Sequence, residues 1–139
     1  MADQELKDIL QIAGDDFEAM LHLATENYSD GKFHETRAIL AGLIALNDAD
    51  ARLYKLLGSC LLLEDRHRDA EKAYEKAHAL DAEDPYTLVA LGEIKLKALN
   101  ITEAVPLFEK LFAQDPEGEH PAANRGRRLV QEHYQKLSS

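Results

Sequence analysis

The side chains of this sequence that could do covalent or metal chemistry are six histidines, one cysteine and adjacent acid pairs such as Asp15-Asp16 and Glu83-Asp84. His22, His34, His67, His78, His120 and His133 are scattered. No two of them stand at helical ligand spacing with a third ligand nearby, and Cys60 has no partner cysteine, so neither a metal site nor an internal disulfide is expected. Cys60 lies among Leu56, Leu57 and Leu61, the setting of a packed thiol rather than a reactive one. His67 sits in a charged stretch and reads as solvated. Asp15-Asp16 and Glu83-Asp84 stand just ahead of segments with helical periodicity. There a carboxylate accepts from the free amides of a first helical turn, so capping accounts for them. Gly14 and Gly31 are isolated, and the sequence contains no glycine-rich phosphate loop and no nucleophile elbow. These residues predict no enzyme and no cofactor. What remains is recognition, which depends on the elements that build a surface.

Length and composition narrow those elements. At 139 residues the chain is expected to be one domain with a real core. Apolar residues make up 45% of it, yet there is no Trp and only 6% is aromatic, which favours a helical array built on Leu and Ala over a sandwich or barrel. The net charge of −10 is uneven. Residues 1–50 carry 11 acids against 3 bases, residues 51–118 carry 13 against 9, and residues 119–139 carry 2 against 4. An acidic body repels phosphate, so nucleic acid is excluded as a partner, and Arg125, Arg127 and Arg128 are too few to reverse that. Asp3, Glu5 and Asp8 interrupt the start, so no leader is expected. The apolar runs are far shorter than the ~20 residues a membrane-spanning helix needs. A cytoplasmic protein without membrane insertion is the expectation.

The chain repeats itself every 34 residues. Leu57-Gly58 recurs as Leu91-Gly92, and Ala24 and Gly126 fall one period to either side. Ala70 with Tyr74 recurs as Ala104 with Phe108, and Thr36 with Leu40 holds that place in the first copy. Units of this kind bury their faces on their neighbours. The small residues mark close helix approaches, with Ala70 and Ala104 expected against them and Tyr74 and Phe108 filling the gap between units. Leu6, Ile9, Leu10 and Ala13 predict an amphipathic helix over 3–13 that ends at Gly14, outside the repeat register. Its apolar stripe must be covered, by the array or by a second copy, so a homodimer through this N-terminal helix is possible. Repeats follow over 17–50, 51–84 and 85–118, then a closing helix within 119–139. Asp15 or Asp16, Asp50, Asp84 ahead of Pro85, and Thr102 ahead of Pro106 are the expected helix starts. Arg125, Arg127, Arg128, Glu132 and Lys136 would give the closing helix a polar outer side.

Tyr54, Leu57, Gly58, Leu61, Ala70, Tyr74 and Ala77 in one unit, and Leu88, Leu91, Gly92, Ala104, Phe108 and Pro116 in the next, resemble the tetratricopeptide pattern. That resemblance implies an all-α solenoid of helical hairpins, three repeats between an N-terminal helix and a C-terminal capping helix, with a concave peptide-binding face. The segment Tyr28-Ser29-Asp30-Gly31-Lys32-Phe33, Arg52 ahead of Leu57-Gly58-Ser59-Cys60, and Asp84-Pro85 followed by Gly92-Glu93 narrow it. They resemble the class II chaperones of bacterial type III secretion, small acidic cytoplasmic proteins that hold translocators before export. That resemblance implies a groove for an extended client segment with apolar anchors.

In this fold the first helix of each unit lines the concave face. The register then exposes Leu21, Thr25 and Tyr28; Arg52, Lys55, Ser59 and Leu62; and Tyr86, Val89, Glu93 and Leu96. Tyr28 and Tyr86 can bury a ring while the hydroxyl meets a peptide backbone. Arg52 and Lys55 are placed for an acidic residue of the ligand. Leu62, Val89 and Leu96 could instead pack beneath a terminal helix. Repeat domains that clamp a C-terminal carboxylate use Lys and Asn where this chain has Leu21 and Thr25, which argues against that mode. Two functions remain open: a chaperone masking an apolar client segment, and a scaffold or adaptor of another assembly that uses its convex face or the N-terminal helix.

Overall fold

The computed structural model describes the backbone of residues 2–139, and side chains at residue 4 and from residue 14 onward. Seven helices follow one another over that span: α1 (Ala2–Ser29), α2 (Phe33–Leu46), α3 (Ala51–Leu63), α4 (His67–Leu80), α5 (Pro85–Lys97), α6 (Ile101–Ala113) and α7 (Pro121–Ser138). They pack as successive hairpins, α1–α2, α3–α4 and α5–α6, closed by α7.

One expectation fails at the start. The chain does not end a helix at Gly14; α1 runs unbroken for 28 residues. Asp15 and Asp16 therefore lie inside it and cap nothing. Gly14 keeps helical backbone, and open space surrounds its Cα. The cost of a helical glycine, about 1 kcal/mol, is spread over a long helix whose flanks are good formers. The stripe Leu6, Ile9, Leu10 and Ala13, and the self-association expected of it, lie outside the described side chains.

The other starts follow capping chemistry. Asp50 accepts from the Arg52 amide and Asp84 from the Tyr86 amide, with Pro85 in the first turn where its missing N–H costs nothing. Thr87 adds a hydroxyl bond to Asp84 at 3.0 Å. Helix α6 begins earlier than expected, with Asn100 rather than Thr102 as cap, accepting from Glu103 N. Pro106 thus stands beyond the first turn of α6. Helix α7 is capped by a histidine: His120 Nδ1 accepts from Ala122 N at 3.1 Å. The loop before it is tied to Asp115, whose carboxylate accepts from the amides of Glu119 and His120 at 2.9 and 3.0 Å and from Arg127 Nη1 at 3.0 Å. The Glu119 amide first, then the His120 amide and Arg127, hold this carboxyl below the usual range against the opposing effect of its burial.

Each hairpin turn uses the same backbone device. Gly31, Asp65 and Leu99, 34 residues apart, take φ of +77°, +62° and +61°. The following amides, Lys32, Arg66 and Asn100, bond back to Asn27, Leu61 and Lys95 carbonyls at 2.8 Å, a Schellman-type ending. Only Gly31 adopts that φ freely. Leu99 is 73% exposed and packs on little, so Leu99→Gly is expected to raise stability by about 1 kcal/mol, the strain a left-handed residue carries. Urea denaturation with an unchanged or lower midpoint would contradict this.

Three cores run along the stack. Leu21, Ala24, Leu40, Leu43 and Leu53 join α1–α2 to α3. Leu61, Ala70, Ala73, Tyr74, Leu91 and Ile94 join α3–α4 to α5. Leu88, Val89, Ala104, Phe108, Leu111, Ala122 and Ala123 join α5–α6 to α7. No hairpin buries its face alone, which is why the sequence repeats. The glycines mark the closest approaches, but at Gly58 and Gly92 it is aromatic rings rather than Ala70 and Ala104 that sit on them. A Cβ on Gly58 would lie 2.7 Å from the Tyr74 ring, one on Gly92 2.9 Å from Phe108, and one on Gly126 2.8 Å from Leu111. Between α5 and its neighbours α4 and α6, Lys95 is buried and donates to Glu71, Glu75 and Glu103 at 2.6, 2.7 and 2.7 Å. Among the described residues no helix is long and apolar enough to cross a membrane.

Candidate peptide-binding groove

Alternation of helices puts α1, α3, α5 and α7 on one side of the stack. Helix α3 presents Arg52, Lys55, Leu56 and Ser59 at i, i+3, i+4 and i+7, a single helical face. Leu21 and Thr25 of α1 stand beside it, Tyr86 and Val89 of α5 follow, and Arg125 of α7 closes the row. Together they enclose a cleft of about 520 Å³. Tyr74 reaches its floor from α4, through the gap left by Gly58, and its hydroxyl meets Ser59 Oγ at 2.6 Å. Burial pushes the Tyr74 phenol up, and the bond to Ser59 offsets part of that.

The walls are apolar and the rim is cationic. Tyr86 is 52% exposed and offers its ring to the cleft. That ring stands 5.4 Å from the His120 ring, with Lys55 Nζ 6.0 Å from its centroid. Arg52 is held by Asp50 at 2.7 Å and Glu18 at 2.8 Å. Those bonds, Asp50's first, push the guanidinium up, and Arg52 in turn lowers both carboxyls. Lys55 meets Asp84 at 2.9 Å. Burial works to raise the Asp84 carboxyl, but the Lys55, Thr87 and Tyr86 amide bonds outweigh it and hold Asp84 low. Arg125 Nη2 spans the Glu93 carboxylate at 2.7 and 3.0 Å.

The cleft gathers Leu21, Thr25, Arg52, Lys55, Ser59, Tyr86 and Val89 from the residues that sequence register placed on the concave face. Four others lie elsewhere. Tyr28 is half-buried against Phe33, rings 6.0 Å apart. Leu62 packs on the core around Leu61 and Leu91 and borders a separate charged recess with His67, Arg68 and Glu71. Leu96 packs against the core beneath α7. Glu93 stands behind Arg125 rather than in the lining. Packing beneath the terminal helix α7 is realised for Leu96 and also for Val89, which is buried, whereas Leu62 packs in the core shared by α3, α4 and α5. The register missed Leu56, Tyr74 and Arg125. Leu56 could have been found from the i, i+4 relation to Arg52, and Arg125 by treating α7 as a further wall helix; nothing local signalled Tyr74, whose exposure depends on Gly58.

Helix α7 exposes Arg125, Arg128, Glu132 and Lys136 as expected of a capping helix, but not polar residues alone. Val130, Tyr134 and Leu137 are exposed. Val130 and Leu137 border, with Ile101, Val105 and Phe112, an apolar wedge of about 300 Å³ between α6 and α7. Arg127 turns inward, its guanidinium 5.2 Å from the Phe112 ring. Among the described residues no group of three or more His, Cys, Asp or Glu side chains is placed to hold a metal ion.

Stacked hairpins with small residues at the crossings and a cleft on the inner face define a tetratricopeptide-type helical solenoid. No protein-family model matches the chain. Its sequence is similar to the low calcium response locus protein H of Yersinia pseudotuberculosis serotype I (strain IP32953), 26% identical over 110 residues that make up 77% of this chain. The match spans 66% of that protein's length, just under two thirds. The fold is similar to that of the Yersinia enterocolitica type III secretion chaperone SycD, solved in complex with a peptide of the translocator YopD. There the TM-score is 0.76 at 22% identity, covering 88% of this chain and 95% of that one. It is also similar to PcrH of Pseudomonas aeruginosa in complex with the chaperone binding region of PopD. There the TM-score is 0.76 at 23% identity, covering 89% of this chain and 95% of that one.

Proposed function

We propose that this chain is a chaperone of the type III secretion translocator class, and that it holds an extended apolar segment of a secreted client in the α1–α3–α5–α7 cleft. One observation carries this: the concave face is hollow and apolar-walled, on a fold that resembles two solved chaperones holding translocator peptides. Leu56, Tyr86 and Val89 act as the anchor sites, and Thr25 and Ser59 hydrogen-bond the peptide backbone. The whole chain works as one binding domain, in the cytoplasm, without catalysing a reaction.

The test is binding of a type III secretion translocator subunit from the organism that makes this chain. Tyr86→Ala with Leu56→Ala is expected to weaken capture at least tenfold, about 1.4 kcal/mol. Tyr86 is half-exposed and Leu56 only partly buried, so the circular dichroism spectrum should not change. Undiminished capture by the folded double variant refutes the groove as the client site.

A further inference from the structure

We infer that the groove selects a client segment carrying an acidic side chain beside its apolar anchor, and that Lys55 and Arg125 hold that carboxylate. This rests on the groove reading above and adds the chemistry of the ligand. The chain carries a net charge of −10, yet the residues lining the cleft include Arg52, Lys55 and Arg125 and no carboxylate. Apart from Glu18, which is 60% exposed and meets Arg52 from α1, the acids that neutralise these cations stand behind them. Side chains of Asp50, Asp84 and Glu93 are 14%, 13% and 15% exposed, against 51%, 37% and 53% for Arg52, Lys55 and Arg125. Asp50 and Asp84 are also fixed as helix caps, so they cannot swing forward to cover the rim. A ligand entering the cleft meets the cationic side of each pair.

The three cations are not equal. Arg52 already donates through Nε, Nη1 and Nη2 to Asp50 and Glu18, which leaves the fork almost fully engaged. It is a structural clamp between α1 and α3, not the ligand contact that sequence register suggested. Lys55 gives one of its three N–H bonds to Asp84. Arg125 donates to Glu93 through Nη2 alone among the described residues. The donors left over belong to Lys55 on α3 and Arg125 on α7, and α5, with Tyr86 and Val89, stands between those helices in the stack. A client carboxylate there accepts charge-assisted bonds without displacing an internal acid, while an apolar neighbour fills the space over Leu56 and Val89. A lysine or arginine in the same place faces like charge and unpaired donors.

Selection from a random octapeptide library displayed without free C-termini, on the intact protein, tests this. Peptides recovered on the wild type should be enriched at least threefold in Asp and Glu next to an apolar residue. On Lys55→Gln/Arg125→Gln the acidic enrichment should vanish while the apolar enrichment stays. Apolar enrichment without acidic enrichment on the wild type, or acidic enrichment that survives in the variant, overturns the inference and leaves the groove reading intact. Recovery of no enriched sequence overturns both. Should the double variant lose all binding, one recovered acidic peptide is compared on the wild type with its Asn or Gln isostere. An isostere at least fivefold weaker supports the inference, and equal affinities overturn it.

Discussion

Gly58→Leu is expected to cost about 3 kcal/mol of stability or more. The Cβ alone would stand 2.7 Å from Cδ2 and Cε2 of Tyr74 and 3.0 Å from its Cζ. These are mid-ring atoms, and the ring cannot swing away freely, because its hydroxyl is tied to Ser59 at 2.6 Å and the side chain is only 3% exposed. The α3–α4 hairpin would have to open, which disturbs the core that joins it to α5 and removes Tyr74 from the cleft floor. Helix propensity works the other way by only about 1 kcal/mol, so overpacking wins. Gly42 supplies the contrast. A Cβ there meets nothing within 4 Å, so Gly42→Ala should stabilise by roughly 0.5–1 kcal/mol. Urea denaturation of both variants is the measurement. A Gly58→Leu midpoint within error of the wild type would show that the crossing is not tight.

Lys95→Met is expected to destabilise by about 2 kcal/mol near neutral pH. Removing one partner of a fully buried ion pair costs roughly 3–5 kcal/mol. Here the ammonium is buried, but the carboxylates of Glu71, Glu75 and Glu103 are 31%, 49% and 57% exposed, so water takes up part of the loss. Burial opposes the Lys95 charge, yet the bonds to Glu103, Glu71 and Glu75 outweigh it and push the ammonium up. Glu103 is correspondingly lowered, by its hydrogen bond to Lys95 first. The two signs define a window. A raised lysine contributes fully below its unfolded value near 10.4 and loses that contribution as pH rises through the folded value. A lowered carboxyl contributes above its unfolded value near 4.3 and loses it as pH falls through the folded one. The gap between wild type and Lys95→Met should therefore be widest between about pH 5 and 10 and shrink in acid. Thermal melts across that range measure it. A gap that stays constant down to pH 3 would show that packing of the lysine stem, not its charge, is what the variant loses.

Much of the architecture was legible before any coordinates. The 34-residue recurrence of Leu57-Gly58 and Ala70 with Tyr74 predicted hairpins in one register, because each unit needs the same close approach and the same filler. Asp50 and Asp84-Pro85 announced helix starts because a cap is a local bond between a side chain and an amide two residues on. Errors fell where local signals compete. Gly14 followed by two aspartates reads as a stop and a start, but no residue near it is forced out of helical backbone, and α1 runs through. Thr102 and Asn100 are both able caps, and Asn100 lies one residue past the left-handed Leu99, where the turn ends.

Helical periodicity assigns a residue to a face, and that sufficed for Leu21, Arg52, Ser59 and Tyr86. It cannot say what stands opposite. Leu62 and Leu96 share a face with the groove residues and are claimed by neighbouring cores. Tyr74 was assigned to the interior and yet reaches the floor, because Gly58 leaves room for its ring. Arg52 lost its freedom to Glu18, 34 positions away, while Arg125 entered the cleft by pairing with Glu93 across 32. The order and register of the helices were written in short-range patterns of size and charge. Which cations line the cleft, and which are already satisfied, depended on partners distant in the chain that only packing brings within about 3 Å.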